Sequence, residues 1–194
     1  MQARSTARLT RLLDSAAEVI DEIGYERLTT AMVADRAGAS IGTVYRYFPD
    51  RIAVLQSLSA RYLSDFTEQV RVALTDEALA GWPEAIDAVI DVAVRSFAEK
   101  PGFRSLRFGD VIDVRPLEGA STRNAMVGAV IAETLGERFG LEPAEELEFQ
   151  AEVVVQLIDS LLSRAFAFER TGDERIIAEA RSIVRAYLAG HHPA

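Results

Sequence analysis

Cysteine is absent from the 194 residues, so neither a disulfide framework nor thiolate chemistry is available. Lysine is reduced to Lys100, and the only histidines are the adjacent pair His191-His192 next to the C-terminus. The body therefore offers no His base, no Ser/His or Cys/His pair, and no Glu-x-x-His pair for a di-iron bundle, which leaves an enzyme only carboxylate chemistry. The double His reads as a disordered tail. A Gly-rich phosphate loop is missing, and neither a metal nor a cofactor is expected. No apolar run approaches the roughly 18 residues of a membrane span. Met1-Gln2-Ala3-Arg4-Ser5-Thr6 lacks the apolar region of a secretory signal. These absences point to a soluble, cytoplasmic protein without a membrane partner.

Strand-type alternation is also missing, and helical spacing fills the chain. Leu9, Leu12, Leu13, Ala16, Ala17, Ile20 and Ile23 form one helical face, ended by Gly24. Thr29-Thr30 offers an N-cap for a short helix through Ala37, stopped by Gly38, and Ser40 caps a third from Ile41 to Phe48, before Pro49. Asp50 opens a long fourth helix to about Leu74, roughly 36 Å at about 1.5 Å per residue, suited to joining two domains. A fifth helix follows Gly81-Trp82-Pro83 and closes at Lys100-Pro101-Gly102. Phe103 to Asp113 reads as a shorter helix or irregular segment. Further helices span Ser121 to Phe139, Pro143 to Arg170 and Asp173 to Gly190. The expected fold is all-α, about nine helices, with a three-helix domain in residues 1–51 and an all-helical body in residues 52–194.

A net charge of −9 argues at first against a polyanionic partner. Residues 1–51, however, hold seven Arg and seven acids, whereas residues 52–194 hold 14 basic and 23 acidic residues, so the excess acidity belongs to the body. Within the first segment Arg4, Arg8 and Arg11 precede the acids Asp14, Glu18, Asp21, Glu22 and Glu26, and Arg27, Arg36, Arg46 and Arg51 follow. Arg4, Arg8 and Arg11 share one helical face, either reaching phosphates or forming a solvated arm.

The run from Thr29 to Phe48 meets the requirements of a helix-turn-helix. Small Ala34 and Ala37 permit close helix approach, and Gly38 permits the turn. Val33, Ile41, Val44 and Phe48 supply an interior, and Gly42, Thr43, Tyr45, Arg46 and Tyr47 remain for a groove. An Arg beside small and hydroxyl residues suits the major groove, where it can make paired hydrogen bonds to guanine. Thr-Thr before a short helix, Ala-Gly-Ala-Ser, then Gly-Thr-Val-Tyr-Arg-Tyr-Phe-Pro-Asp-Arg resembles the DNA-binding domain of the TetR family over about residues 8 to 55. The resemblance implies phosphate contacts from Thr30, Tyr45, Tyr47 and Arg51, and base contacts from Ser40, Gly42, Thr43 and Arg46. Arg51 stands where Lys is commoner, keeping the charge but changing its hydrogen-bond geometry.

The helices Pro143 to Arg170 and Asp173 to Gly190 carry apolar residues on more than one face, so they are either central to the fold or covered by a partner. The resemblance implies a homodimer through these last two helices, and hence a palindromic double-stranded DNA operator. It also implies a small-molecule effector, apolar or amphipathic, that releases a repressor from that operator. Phe97, Phe103, Phe108, Met126, Phe149 and Phe166 either line a ligand cavity or form core. Asp110 and Asp113, and the stripe Gln156, Asp159 and Ser163, are polar positions within apolar segments that either bind effector or bridge the dimer. The reading favoured is a ligand-responsive transcriptional repressor. A helical ligand-binding or interaction protein with weakened DNA binding is the alternative, and an enzyme stands behind both.

Overall fold

The computed structural model describes residues 2–106, 122–142 and 144–192. Among these, nine α-helices and one 3₁₀ turn occur and no strand. They are α1 (Gln2–Ile23), the 3₁₀ turn (Tyr25–Arg27), α2 (Thr30–Ala37), α3 (Ile41–Tyr47), α4 (Arg51–Leu74), α5 (Trp82–Glu99), α6 (Phe103–Leu106), α7 (Arg123–Phe139), α8 (Ala144–Ala165) and α9 (Glu174–Ala189). The chain divides into two compact units. The first holds residues up to Tyr62 together with the segment from Lys100 that carries α6; the second holds Leu63–Glu99 and α7 to α9.

Local chemistry sets the helix ends of the first unit. Thr29 accepts a hydrogen bond from the Met32 N–H at 3.2 Å, Ser40 from the Thr43 N–H at 3.2 Å and Asp50 from the Ala53 N–H at 2.8 Å, each satisfying a donor that the first helical turn leaves open. Gly38 closes α2 at φ 61°, a left-handed conformation that costs glycine little. The core gathers Leu12, Ala16 and Ile20 of α1, Val33 and Ala37 of α2, Val44 of α3, Phe48, and Leu55 and Leu58 of α4, all buried.

Ionic contacts then fix α1 against its neighbours. Arg36 of α2 meets Glu18 at 3.3 Å and Glu22 at 2.6 Å, and Arg61 of α4 meets Asp14 at 2.7 Å. The Arg36 hydrogen bond holds the Glu22 carboxyl below its ordinary pKa, and the two carboxylates raise that of Arg36. Asp21 accepts the Gly102 N–H at 3.2 Å. Gly102, at φ 72°, lies so close to α1 that a Cβ would fall 2.9 Å from the Ala17 carbonyl oxygen. The Tyr62 hydroxyl donates to the Pro101 carbonyl, and its ring meets Phe103 edge-on at 5.5 Å. Burial pushes the Tyr62 phenol pKa upward.

In the second unit α7 and α8 pack closely because Gly128 has no side chain: a Cβ there would lie 2.7 Å from the Glu152 backbone nitrogen. α8 stops at Ala165, short of the Arg170 expected from periodicity, since the chain turns back at Gly172 (φ 77°) over the Phe166 ring. The Asp173 N–H returns to the Ala165 carbonyl at 2.9 Å, and the Asp173 carboxylate caps α9 through the Arg175 N–H at 2.9 Å. α9 is held to α5 by Arg181 with Asp91 at 2.5 Å and by Arg185 with Asp87. The C-terminal histidines correct the expectation of a disordered tail. His192 is buried and its Nε2 lies 2.6 Å from Gln150 Oε1, because the end of α9 brings it onto the start of α8. Ile41 corrects a second expectation: it is 42% exposed rather than interior.

The Gly128 contact gives a direct check. Gly128→Ala must push backbone against backbone, at a cost of about 1–3 kcal/mol. Thermal unfolding followed by circular dichroism is expected to show a midpoint lowered by several degrees. An unchanged midpoint would contradict the close α7–α8 contact.

Candidate nucleic-acid interface

α3 has seven residues, and only Val44 among them is buried. At 100° per residue, Gly42 and Arg46 lie on the side opposite Val44, with Ile41 and Tyr45 on one flank and Thr43 and Tyr47 on the other. Tyr45 is 53% exposed, and Gly42 and Arg46 are also exposed. A short helix with one buried residue and an open opposite face is shaped to enter a groove, and no acid stands in its first turn to repel a phosphate.

The hydroxyl groups singled out in the sequence are brought together in three sets. Thr30 donates to the Tyr45 hydroxyl at 3.4 Å, at the start of α2. Ser40 and Thr43 hydroxyls lie 2.9 Å apart at the start of α3. The Tyr47 hydroxyl lies 3.2 Å from Ser5 Oγ on α1, a partner that sequence reasoning missed because it is 42 residues away. Two of these sets sit at helix N-termini, where open backbone N–H groups and the helix dipole favour anions. Arg51 is engaged differently: it donates to the Glu26 carbonyl at 2.7 Å and to the Tyr25 carbonyl at 3.5 Å, tying the start of α4 to the 3₁₀ turn. Arg8 and Arg11 of α1 are exposed, and an Arg11 nitrogen lies 3.7 Å from where a Gly38 Cβ would be.

The candidate effector residues do not form one group. Phe97 and Phe166 meet at 5.5 Å inside the second unit. Phe103 belongs to the first unit, against Tyr62. Met126 and Phe149 are 50% and 66% exposed, so they are surface rather than interior residues. The reason is register: the buried column of α7 runs through Val127, Ile131 and Leu135, and that of α8 through Leu147, Ala151 and Val154. Asp159 is buried, and its carbonyl accepts the Ser163 hydroxyl at 2.5 Å. Gln156 is exposed and accepts from the Asn124 amide at 2.6 Å. Phe108, Asp110 and Asp113 lie outside the described residues. Ser96, next to Phe97, was not singled out; it is 1% exposed, and its hydroxyl has no hydrogen-bond partner among the described residues.

Comparison with known proteins covers both units. The family profile described as bacterial regulatory proteins, tetR family, matches residues 12–58, and that described as tetracyclin repressor-like, C-terminal domain, matches residues 80–192. The HTH-type transcriptional repressor KstR of Mycobacterium tuberculosis is 30% identical over 178 residues, covering 91% of this chain and 67% of KstR. A TetR-family transcriptional regulator from Streptomyces coelicolor superposes with a TM-score of 0.79 at 35% identity, over 95% of this chain and 99% of that one. FadR of Bacillus subtilis, solved in complex with stearoyl-CoA, shares the fold at 20% identity and a TM-score of 0.69, over 94% of this chain and 99% of that one. With the helix-turn-helix and the helical body each matched in its own region, the chain belongs to the TetR family of bacterial regulatory proteins and is a DNA-binding transcriptional regulator.

Proposed function

We propose that the protein is a cytoplasmic homodimeric repressor, not an enzyme, that holds a palindromic operator through two copies of α3 and releases it when an amphipathic small molecule binds the second unit. The observation that carries this reading is the composition of α3, in which Gly42, Tyr45 and Arg46 are open and Val44 alone is spent on the core. Arg46 reads guanine through paired hydrogen bonds. The Thr30–Tyr45 and Ser5–Tyr47 hydroxyl pairs and the N-terminus of α2 take phosphates. Arg51 acts mainly by positioning, through the carbonyls it ties down.

Two-fold symmetry requires a self-complementary surface, and the apolar residues left open on the last two helices support placing it there. Phe149 and Ile183 are exposed large apolar residues, and Val153, Leu157, Leu161, Ile176 and Tyr187 are half-buried in the single chain. This extent of apolar surface favours a protein partner. The effector site is assigned to the interior beside Phe97 and Phe166, where the Ser96 hydroxyl supplies a polar handle. FadR, which shares the fold, is a relative bound to an amphipathic acyl thioester.

Release requires a ligand whose affinity differs between two conformations. The segment from Lys100 through α6 supports a route for it. This segment leaves α5, a helix of the second unit, and is itself part of the first, docked on α1 through Gly102.

Two experiments test the proposal. The double change Tyr45→Ala and Arg46→Ala removes exposed side chains only, so the unfolding midpoint should stay in place while operator affinity falls at least about tenfold, from loss of a base contact. Undiminished operator binding would overturn the role of α3. Phe149→Glu with Ile183→Glu should convert dimer to monomer in sedimentation equilibrium, and a variant that remains dimeric would move the interface elsewhere.

A further inference from the structure

Ile41 is the first residue of α3, and it is 42% exposed where the apolar pattern of the helix-turn-helix assigns it to the interior. Its place is poorly explained by folding. A β-branched side chain in an open first turn adds little helix propensity, and that turn favours acids. Nor does Ile41 precede the Ser40 cap, where an apolar residue packs back onto the helix as a staple.

Its neighbours define what it faces. Ile41 and Tyr45 are four residues apart on one flank of α3, and the Tyr45 hydroxyl pairs with Thr30 at the start of α2. On the adjacent strip stand Gly42 and Arg46. Around Gly42 only Ser40 Oγ comes within 4 Å of an added Cβ, at 3.9 Å, so the helix is bare there. Around the helix Ile41 thus lies beside Tyr45, on the side of it nearer the buried Val44, at the first exposed position of α3. With α3 as the reading helix, the bare strip at Gly42 would let it sit deep and bring the exposed part of Ile41 to the wall of the major groove.

From this placement we infer that Ile41 is a specificity-determining residue that reads thymine, one per half-site, by packing against its C5-methyl group. Of the four bases only thymine presents an apolar group in the major groove. Against cytosine, adenine or guanine the same side chain would cover a polar edge without replacing its hydrogen bonds with water. The inference rests on α3 being the helix that enters the groove.

The experiment uses the full-length protein. A random duplex pool is enriched for binding, and the selected operator is resynthesised with deoxyuridine in place of thymidine, one symmetric pair at a time, which removes only the methyl group. At one symmetric thymine pair the wild type is expected to lose about fifteenfold in affinity, about fourfold per half-site for one buried carbon. Ile41→Ala should fold with an unchanged thermal midpoint, bind the thymine operator more weakly than wild type, and lose no more than about twofold on the same uracil exchange. Wild-type affinity unchanged at every uracil position overturns the inference while leaving α3 as the reading helix. So does an Ile41→Ala variant that keeps the full uracil penalty. A pool that yields no enriched sequence overturns the underlying DNA-binding reading instead.

Discussion

The contact of Arg36 with Glu18 and Glu22 ties α2, the helix that leads into α3, to α1, and the other acids of α1 are used in the same way. A chain with a net charge of −9 that binds DNA has to dispose of carboxylates within its DNA-binding unit, because each one opposes the counterion release that drives association. The first unit does so by using them as internal ties. Glu18 and Glu22 hold α2, Asp14 holds α4 through Arg61, and Asp21 holds the turn before α6 through the Gly102 N–H. Four acids of one helix thereby orient three other segments. Exposed pairs of this kind add little stability individually. Their value is that one set of contacts fixes direction and neutralises charge.

The same economy appears in the hydroxyl residues. Ser40 ends a loop by capping α3, and its hydroxyl also meets Thr43. Thr30 and Tyr45 pair across two helices, and Tyr47 meets Ser5, so the second half of α3 is tied to α2 and to α1 by hydroxyl groups of a kind that also suits phosphates. The second unit is built on different physics, with close backbone approach at Gly128, a turn over Phe166 at Gly172, and ion pairs between α9 and α5. The small α6 segment is the place where the chain returns from one unit to the other and back.

Much of this was legible in the sequence because helix ends are local. The caps Thr29, Ser40, Asp50 and Asp173 and the left-handed Gly38 and Gly140 act within four residues, and each stands where its residue type pointed. The helix-turn-helix was legible for a second reason, since its motif is carried by contiguous residues. What escaped is tertiary or intermolecular. A two-turn helix has too few apolar positions to fix its rotation, so the apolar pattern points Ile41 inward although it is 42% exposed. Phe149 and Met126 carry the same apolar signal as Phe97 and Phe166, and composition does not separate a face covered within the chain from one left open. The place of His192 and the carbonyl contact of Arg51 escape sequence reading because their partners, Gln150 and the Glu26 carbonyl, lie 42 and 25 residues away.

In this acidic protein the charges of the first unit's first 51 residues balance, and Arg8, Arg11 and Arg46 are exposed there, so that unit is where phosphates can be neutralised. The most direct measurement is the affinity of the full-length protein for its operator and for a scrambled duplex across a salt series. The logarithm of operator affinity is expected to fall linearly with the logarithm of salt, with a slope of about −0.9 for each phosphate neutralised, and the operator to remain far tighter than the scrambled duplex throughout. A slope near zero, or equal affinity for the two duplexes, would contradict it.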